Sequence, residues 1–547
     1  MSSVDRRIQA PSKLKAGWLS TSVPYRDVTS VGFVGSSSLT EDNTLSITMF
    51  SNTLIVAVAL IAISAYYSMK NFNQIGLSAS VESQIAFSWG NVIAAGFSLQ
   101  RVQGLRNMSR IAVGVNVNSD LIVSGTAVLK KLGIDPSGQA IDNSVIGSVK
   151  ELEQTFSYSL KNGAAIERIF STSKDFEKVV RAADSLDEKQ YFVGGNAALA
   201  GLTMADTWRD LEVLLIGPCG PRVRALLPSN VIVPKPSYKE TDEVHLIMEF
   251  KRNERWGVHQ AKVATRFITS YDVSNTEMTA LSEFARSVND FSPDAVFFSG
   301  LHLLDGQPGE KKREKMAALN QELSRLPSDL PVHLELASMA DPELIKGIYT
   351  QVLSSVHSLG LNEQELSFMS SVNSGPHPEV YIRDGYPEVG AVADILHWIL
   401  SSMQQGTWLT KAEQPLAGWS SKLTRVHFHS LAFHIVATIN NTWVNNAAAV
   451  SAGARHAGRQ ACDDGKIVDE KVELRIPKEF ALSINYAPLR HRVVSIDPQD
   501  PVIAWTRDNI QFHFTPVLVC KNPVKTVGLG DAISSTGFLY SHMVSAS

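Results

Sequence analysis

After about residue 76 the chain alternates short apolar runs with longer stretches of helical periodicity, and this alternation limits the fold more than any other feature. Strands that are apolar throughout must be covered on both faces, and helices crossing between parallel strands supply that cover. The runs IAVGVNV (111–117), LEVLLIG (211–217), DAVFFSG (294–300), VHLEL (332–336), RVHFHSL (425–431) and FTPVLVC (514–520) are candidate core strands. Several end in a glycine or run into a polar residue, where the carboxyl-edge crevice of an open sheet binds ligands. The expected fold class is α/β, with a doubly wound, mostly parallel sheet. One stretch departs from the pattern: VHLIMEF (244–250), the charged turn KRNERWG and VATRFITSY (263–271) alternate in polarity. That is the signature of an antiparallel pair wet on one face, and it predicts a smaller β-rich lid that includes about 244–271. Residues 454–477, charged and glycine-spotted, read as an exposed excursion.

At 547 residues the chain exceeds the usual size of a single core, and 44% apolar composition is enough to build a large one. A net charge of −4 gives no basic field for nucleic acid, so no nucleic-acid partner is expected. Cys219, Cys462 and Cys520 lack metal-ligand spacing and read first as small buried residues, at most one pair of which could bridge. From Asn43 to Met69 there is no charge, and the middle reads TLIVAVALIAISAYY. A run of this length approaches the roughly 20 residues that span a bilayer. Residues 1–46 are therefore expected to be a disordered tail and 47–70 a signal-anchor or transmembrane segment, giving membrane association and placing the remainder in a lumen or outside the cell.

Six short segments carry polar groups where such a fold would expose them. KTVGLGDAISS (525–535) joins a strand to a helix through two glycines, and free N–H groups at a helix start suit a phosphoryl group. Asp531 reads either as the helix N-cap or as a general base beside that anion hole. In VGGNAALAG (193–201), Gly195 and Asn196 open a helix, as a structural cap or as a site for sugar hydroxyls. Asn118 and Asp120 of VGVNVNSDLIV share a face if the chain stays extended, either in a turn or gripping adjacent hydroxyls. Glu335 lies two residues from His333 in VHLELAS, and a glutamate in an apolar strand is costly to bury unless paired or near a metal. Glu365, three residues after Asn362 in GLNEQEL, is either a solvated helix charge or a second oxygen ligand of the kind magnesium takes. His427 and His429 of HFHS share a strand face, and His429 reads as a hydrogen-bonding residue beside a nucleotide or as a core histidine.

Taken in order, VGVNVNSDLIV, VGGNAALAG, LLIGPCGP, DEVHLIMEFKRNERWG, TRFITSYD, FFSGLHLLDG, VHLELAS, GLNEQEL, RVHFHSLAFH and KTVGLGDAISS resemble the ADP-dependent glucokinase family, eukaryotic branch, in the ribokinase-like superfold. The resemblance spans roughly 111 to 535 and leaves out the first 75 or so residues. It implies a sugar kinase domain over 76–545 that transfers a phosphoryl group from ADP to glucose with Mg2+, yielding glucose 6-phosphate for glycolysis and AMP. It assigns Asp531 as catalytic base, Gly528 and Gly530 to the anion hole, and His429 to the nucleotide side. It assigns Asn118, Asp120, Gly195 and Asn196 to the sugar, and Glu335, Glu365 and Asp531 to magnesium, directly or through water. A monomer in the endoplasmic reticulum, lumen-facing and anchored, or a secreted one, is the corresponding expectation. A related kinase using ATP or another acceptor, or a non-catalytic sugar sensor on a membrane, is the alternative.

Overall fold

Five of the six apolar runs lie side by side in one ten-stranded sheet. In chain order the labelled strands are β1 (Arg110–Val115), β2 (Asn118–Ser124), β3 (Lys189–Gly194), β4 (Glu212–Ile216), β5 (Val244–Phe250), β6 (Thr265–Ser270), β7 (Ala295–Ser299), β8 (Val332–Glu335), β9 (Ser358–Leu361), β10 (Arg425–His429), β11 (Phe433–Ile439) and β12 (Ile510–Pro516). The large sheet runs 503–507, β12, β11, β10, β9, β8, β7, β1, β4, 231–232. From β10 to the 231–232 edge all neighbours are parallel, whereas β11, β12 and 503–507 add an antiparallel margin. The computed structural model describes residues 80–544 except 104, 106–107, 380–381, 384–385, 408–420, 464 and 525–527. The tail 1–46 and the apolar run 47–70 lie outside the described residues. Among the described residues no helix is long and apolar enough to cross a membrane.

A second sheet, in the order 145–146, 166–170, β6, β5, β2, β3, forms the lid, with β5 and β6 antiparallel as their alternation predicts. Strands before residue 244 therefore belong to the lid as well. Four of its strands pack Leu121, Phe170, Leu246, Met248 and Phe267 into a core of its own, separate from the two that cover the large sheet. The chain passes from the large sheet to the lid across Asn116 and Val117, between β1 and β2. Asn275 clamps this crossing: its Oδ1 accepts from Val117 N at 3.1 Å and its Nδ2 donates to Val117 O at 2.8 Å.

Helices α1 (Val81–Val102), α2 (Asn196–Thr207), α3 (Glu363–Val372), α4 (Asn446–Ala461) and α5 (Leu529–Tyr540) complete the frame of the site. Two readings need correction. FTPVLVC is not one core strand: Phe514–Pro516 ends antiparallel β12, and Leu518–Cys520 pairs with 472–474 outside the large sheet. Pro516 offers no N–H to prolong the ladder. The excursion expected from 454 begins later, because α4 runs to Ala461 with Ala454, Ala457 and Ala461 buried on one side and Arg455 and Arg459 exposed. The charges that made it look like a loop occupy the outer face of an alanine-rich amphipathic helix. At the end of that helix Cys462 is bonded to Cys520, and Cys219 is free and buried. The pair that read as two separate small residues is thus a disulfide, brought together because the strand leading to 521 returns beside α4.

Candidate active site

Asp531 lies in the first turn of α5, and the helix cap is Gly528, whose φ of 64° is a left-handed conformation suited to glycine. The N-cap reading of Asp531 is therefore wrong, for the capping position is three residues earlier and carries no side chain. The acid instead faces α2: Asn196 Nδ2 donates to both of its carboxylate oxygens at 3.0 Å. Asn196 is likewise not a cap. That position is Gly195, at φ 90°, where any Cβ would sit 2.7 Å from Asn116 O. Asn116 completes the arrangement, its Oδ1 accepting from Ala197 N at 2.9 Å. Two glycine-capped helices thus start beside one another, with an amide and a carboxylate bonded between them.

The remaining acids come from the end of β8 and the start of α3. Glu335, at the end of β8, is buried; its Oε2 accepts from His333 Nε2 at 3.1 Å and its Oε1 from His429 Nε2 at 2.8 Å. Burial alone would raise its pKa, but the charge of His429 and the bonds from both histidines bring it down to about 2. His429 moves the other way: burial works against its charge, and Glu335 raises its pKa overall. It also lies against the first turn of α5, its Cε1 3.2 Å from where a Cβ on Gly530 would be. Glu365 is no solvated charge. It is buried at the start of α3, where its carboxylate accepts from Asn362 N and Nδ2 in a capping box. Burial and then the neighbouring charges of Glu335 and Asp531 outweigh that backbone bond and raise its pKa to about 8. Burial and the charge of Glu335 likewise raise Asp531 to about 7, against the bonds from Asn196.

His427 and His434 flank His429 with ring centres 5.7–6.5 Å apart. Both nitrogens of His427 are buried and unbonded among the described residues, and burial lowers the pKa of both rings, to about 3 for His434. Among the described residues no three His, Cys, Asp or Glu side chains are placed to hold a metal ion directly.

On the lid side, Asn118 Nδ2 donates to Asp120 Oδ1 at 2.6 Å, so the two do share a face. Gly194, opposite Asn118 on β3, leaves room for them, since a Cβ there would lie 2.2 Å from Asp120 Oδ1. Burial raises the pKa of Asp120 against the opposing charge of His245. His245 stands directly beside Asp120 in the ladder, with Nε2 at 2.9 Å from Asp272 Oδ2. Burial disfavours its charge, yet the Asp272 bond and the charges of Glu167 and Asp120 raise its pKa to about 9. Sequence reasoning missed Asn116, His245 and Glu167. The signal that could have found His245 is its parity in VHLIMEF, which it shares with Glu249, but only strand pairing sets it beside Asp120.

The fold and these convergent groups define a phosphotransferase of the α/β sugar-kinase class: a glycine-capped helix start, a buried acid in its first turn, and a smaller sheet joined beside both. The ADP-specific phosphofructokinase/glucokinase conserved region matches residues 109–540, and the chain belongs to that family. It is 44% identical to a Bos taurus ADP-dependent glucokinase over 85% of this chain and 89% of that one. A Caenorhabditis elegans relative described as a probable ADP-dependent glucokinase is 36% identical over 89% and 94%. Among solved structures, a hypothetical ADP-dependent phosphofructokinase from Pyrococcus horikoshii aligns with a TM-score of 0.56 at 19% identity, over 79% of this chain and 97% of that one. The fold is ribokinase-like.

Proposed function

We propose that this chain is an ADP-dependent glucokinase, transferring a phosphoryl group from ADP to the 6-hydroxyl of glucose to give glucose 6-phosphate and AMP. The observation that carries the reading is the meeting of Asp531 with Asn196 at the start of α2, Glu335 at the end of β8 and Glu365 at the start of α3, all at one end of α5. Asp531 takes the proton of the attacking hydroxyl, and a pKa near 7 suits a base working at neutral pH. Asn196 holds both oxygens of that carboxylate and so fixes its direction. The N–H groups that follow Gly528 donate to the phosphoryl oxygens and stabilise their negative charge. Asp120, Asn118, His245 and Glu167 form the polar wall that recognises sugar hydroxyls, and lid closure over it excludes water, whose attack would waste the donor.

The carboxylates fit a hydrated magnesium ion. Burial and mutual repulsion raise the pKa of Glu365 and Asp531, a penalty that a divalent cation removes. Each oxygen of Glu335, Glu365 and Asp531 already accepts one hydrogen bond, leaving lone pairs for metal-bound waters rather than a closed protein cage. When bound there, magnesium would neutralise charge on the donor phosphates. A lumenal or secreted location is supported by the 47–70 apolar run and by the Cys462–Cys520 disulfide, which suits an oxidising compartment.

The test is product formation by the purified full chain with glucose and ADP, and separately with ATP. Glucose 6-phosphate with ADP is expected; product from ATP alone overturns the donor, and binding of glucose without turnover favours a sensor.

A further inference from the structure

Three residues that no motif singled out as functional lie in one lateral row of the core sheet. His333 on β8 pairs with Ser358 on β9, and Ser358 pairs with Arg425 on β10. Arg425 is fully buried. Its Nη1 donates to Ser358 Oγ at 2.8 Å and its Nε to Ser541 Oγ at 3.1 Å. His333 Nδ1 lies 2.8 Å from the same Ser358 Oγ. Its Nε2 lies 3.1 Å from both Glu335 Oε2 and Ser534 Oγ of α5.

Donor and acceptor chemistry orders this row. A guanidinium can only donate, so Ser358 Oγ accepts from Arg425 and its own O–H is free to point onward. A carboxylate can only accept, so His333 Nε2 carries the hydrogen that faces Glu335. In a neutral imidazole Nδ1 is then an acceptor, and the Ser358 hydroxyl donates to it. The ring cannot readily turn, for it lies between Phe297 and Phe538, with ring centres 4.8 and 5.0 Å away. We propose that Arg425, Ser358 and His333 form a positioning chain that fixes one tautomer of His333 and, through it, the direction in which Glu335 presents its carboxylate. The chain explains why a guanidinium stands buried in the sheet with serine hydroxyls as its hydrogen-bond partners, a placement that is otherwise costly. Ser534 joins the same nitrogen to the catalytic helix, so β8 and α5 are referenced to one imidazole.

The consequence for magnesium rests on the reading of Glu335 given above, and the variants separate the two. Selective 15N-histidine labelling, with His333→Asn to assign the ring, reports the tautomer directly. The parent is expected to show a single Nε2–H form of His333. Ser358→Ala should give mixed tautomers and Ser358→Thr, which keeps the hydroxyl, should restore the single form. An unchanged His333 signal in Ser358→Ala overturns the positioning chain. Binding of Mn2+ with ADP, followed by loss of the free-ion electron paramagnetic resonance signal, is expected to weaken about 10-fold or more in Ser358→Ala. Glucose affinity should stay within about twofold. Equal loss of glucose and Mn2+ binding in both Ser358 variants overturns the proposal in favour of a packing role. If Glu335→Gln leaves Mn2+ binding intact, the magnesium reading of Glu335 falls, while the tautomer measurement still decides the chain.

Discussion

Asp531 combines two properties that seldom coexist in one side chain: it is buried, and it is held by an amide that bonds both its oxygens without neutralising them. Replacing it with alanine should lower kcat by about 10²–10⁴ while glucose binding, measured calorimetrically, persists. The same burial has a consequence for stability in magnesium-free protein. Because the folded pKa near 7 exceeds the ordinary value near 4, the folded state binds more protons than the unfolded one between those limits. Stability is then fully present below about pH 4 and is lost as pH rises through about 7. Asp531→Asn should therefore gain thermal stability relative to the parent between pH 5 and 8 in EDTA, by an amount on the order of a few kcal/mol. A constant difference in melting temperature across that range would contradict the shift. Gly360 offers a steric counterpart: a Cβ there would lie within the carboxylate of Glu335 and close to Ser534 Oγ. Gly360→Ala should displace Glu335 and raise the magnesium concentration needed for half-maximal rate at least several-fold, with little change in glucose KM.

At the scale of elements, α5 is supported by a helix that precedes the family's conserved region. The family match begins at residue 109, yet Ile85 and Trp89 of α1 share a buried cluster with Leu529 and Ile533, which flank Gly530 and Asp531. The Trp89 indole donates to Thr515 Oγ1 at 2.8 Å, tying α1 to β12. Trp89→Ala should cost about 3–5 kcal/mol, seen as a lower denaturant midpoint. The element pairings also explain what could be read in advance. Periodicity located β1, β4, β7, β8 and β10 through the apolar side chains that a strand covered on both faces requires, although β8 and β10 also bury Glu335, Arg425 and three histidines among them. It failed for α4, whose exposed arginines masked a stripe of alanines, and for FTPVLVC, where burial without pairing in the main sheet looks the same as burial with it.

For the whole molecule, the Cys462–Cys520 bridge closes a loop of 58 residues between α4 and the approach to the catalytic turn. In the chain-entropy account a loop of this size stabilises by about 4 kcal/mol, so reduction or a Cys462→Ala, Cys520→Ala double variant should lower the melting temperature by several degrees. An unchanged transition on reduction would argue that the unfolded chain remains compact.

The sequence by itself determined the alternation that makes an α/β sheet, the lid hairpin, and the identity of the acids and glycines at the site. These follow from local rules, since burial periodicity and glycine turns are written in neighbouring residues. Only the tertiary structure decided that Gly528 rather than Asp531 caps α5, that Asn196 bonds Asp531, and that His333 reaches Ser358 and Glu335. The bonds between Asn196 and Asp531 and between His333 and Ser358 depend on helix packing and strand register across 335 and 25 positions, and such separations leave no periodic trace in the chain.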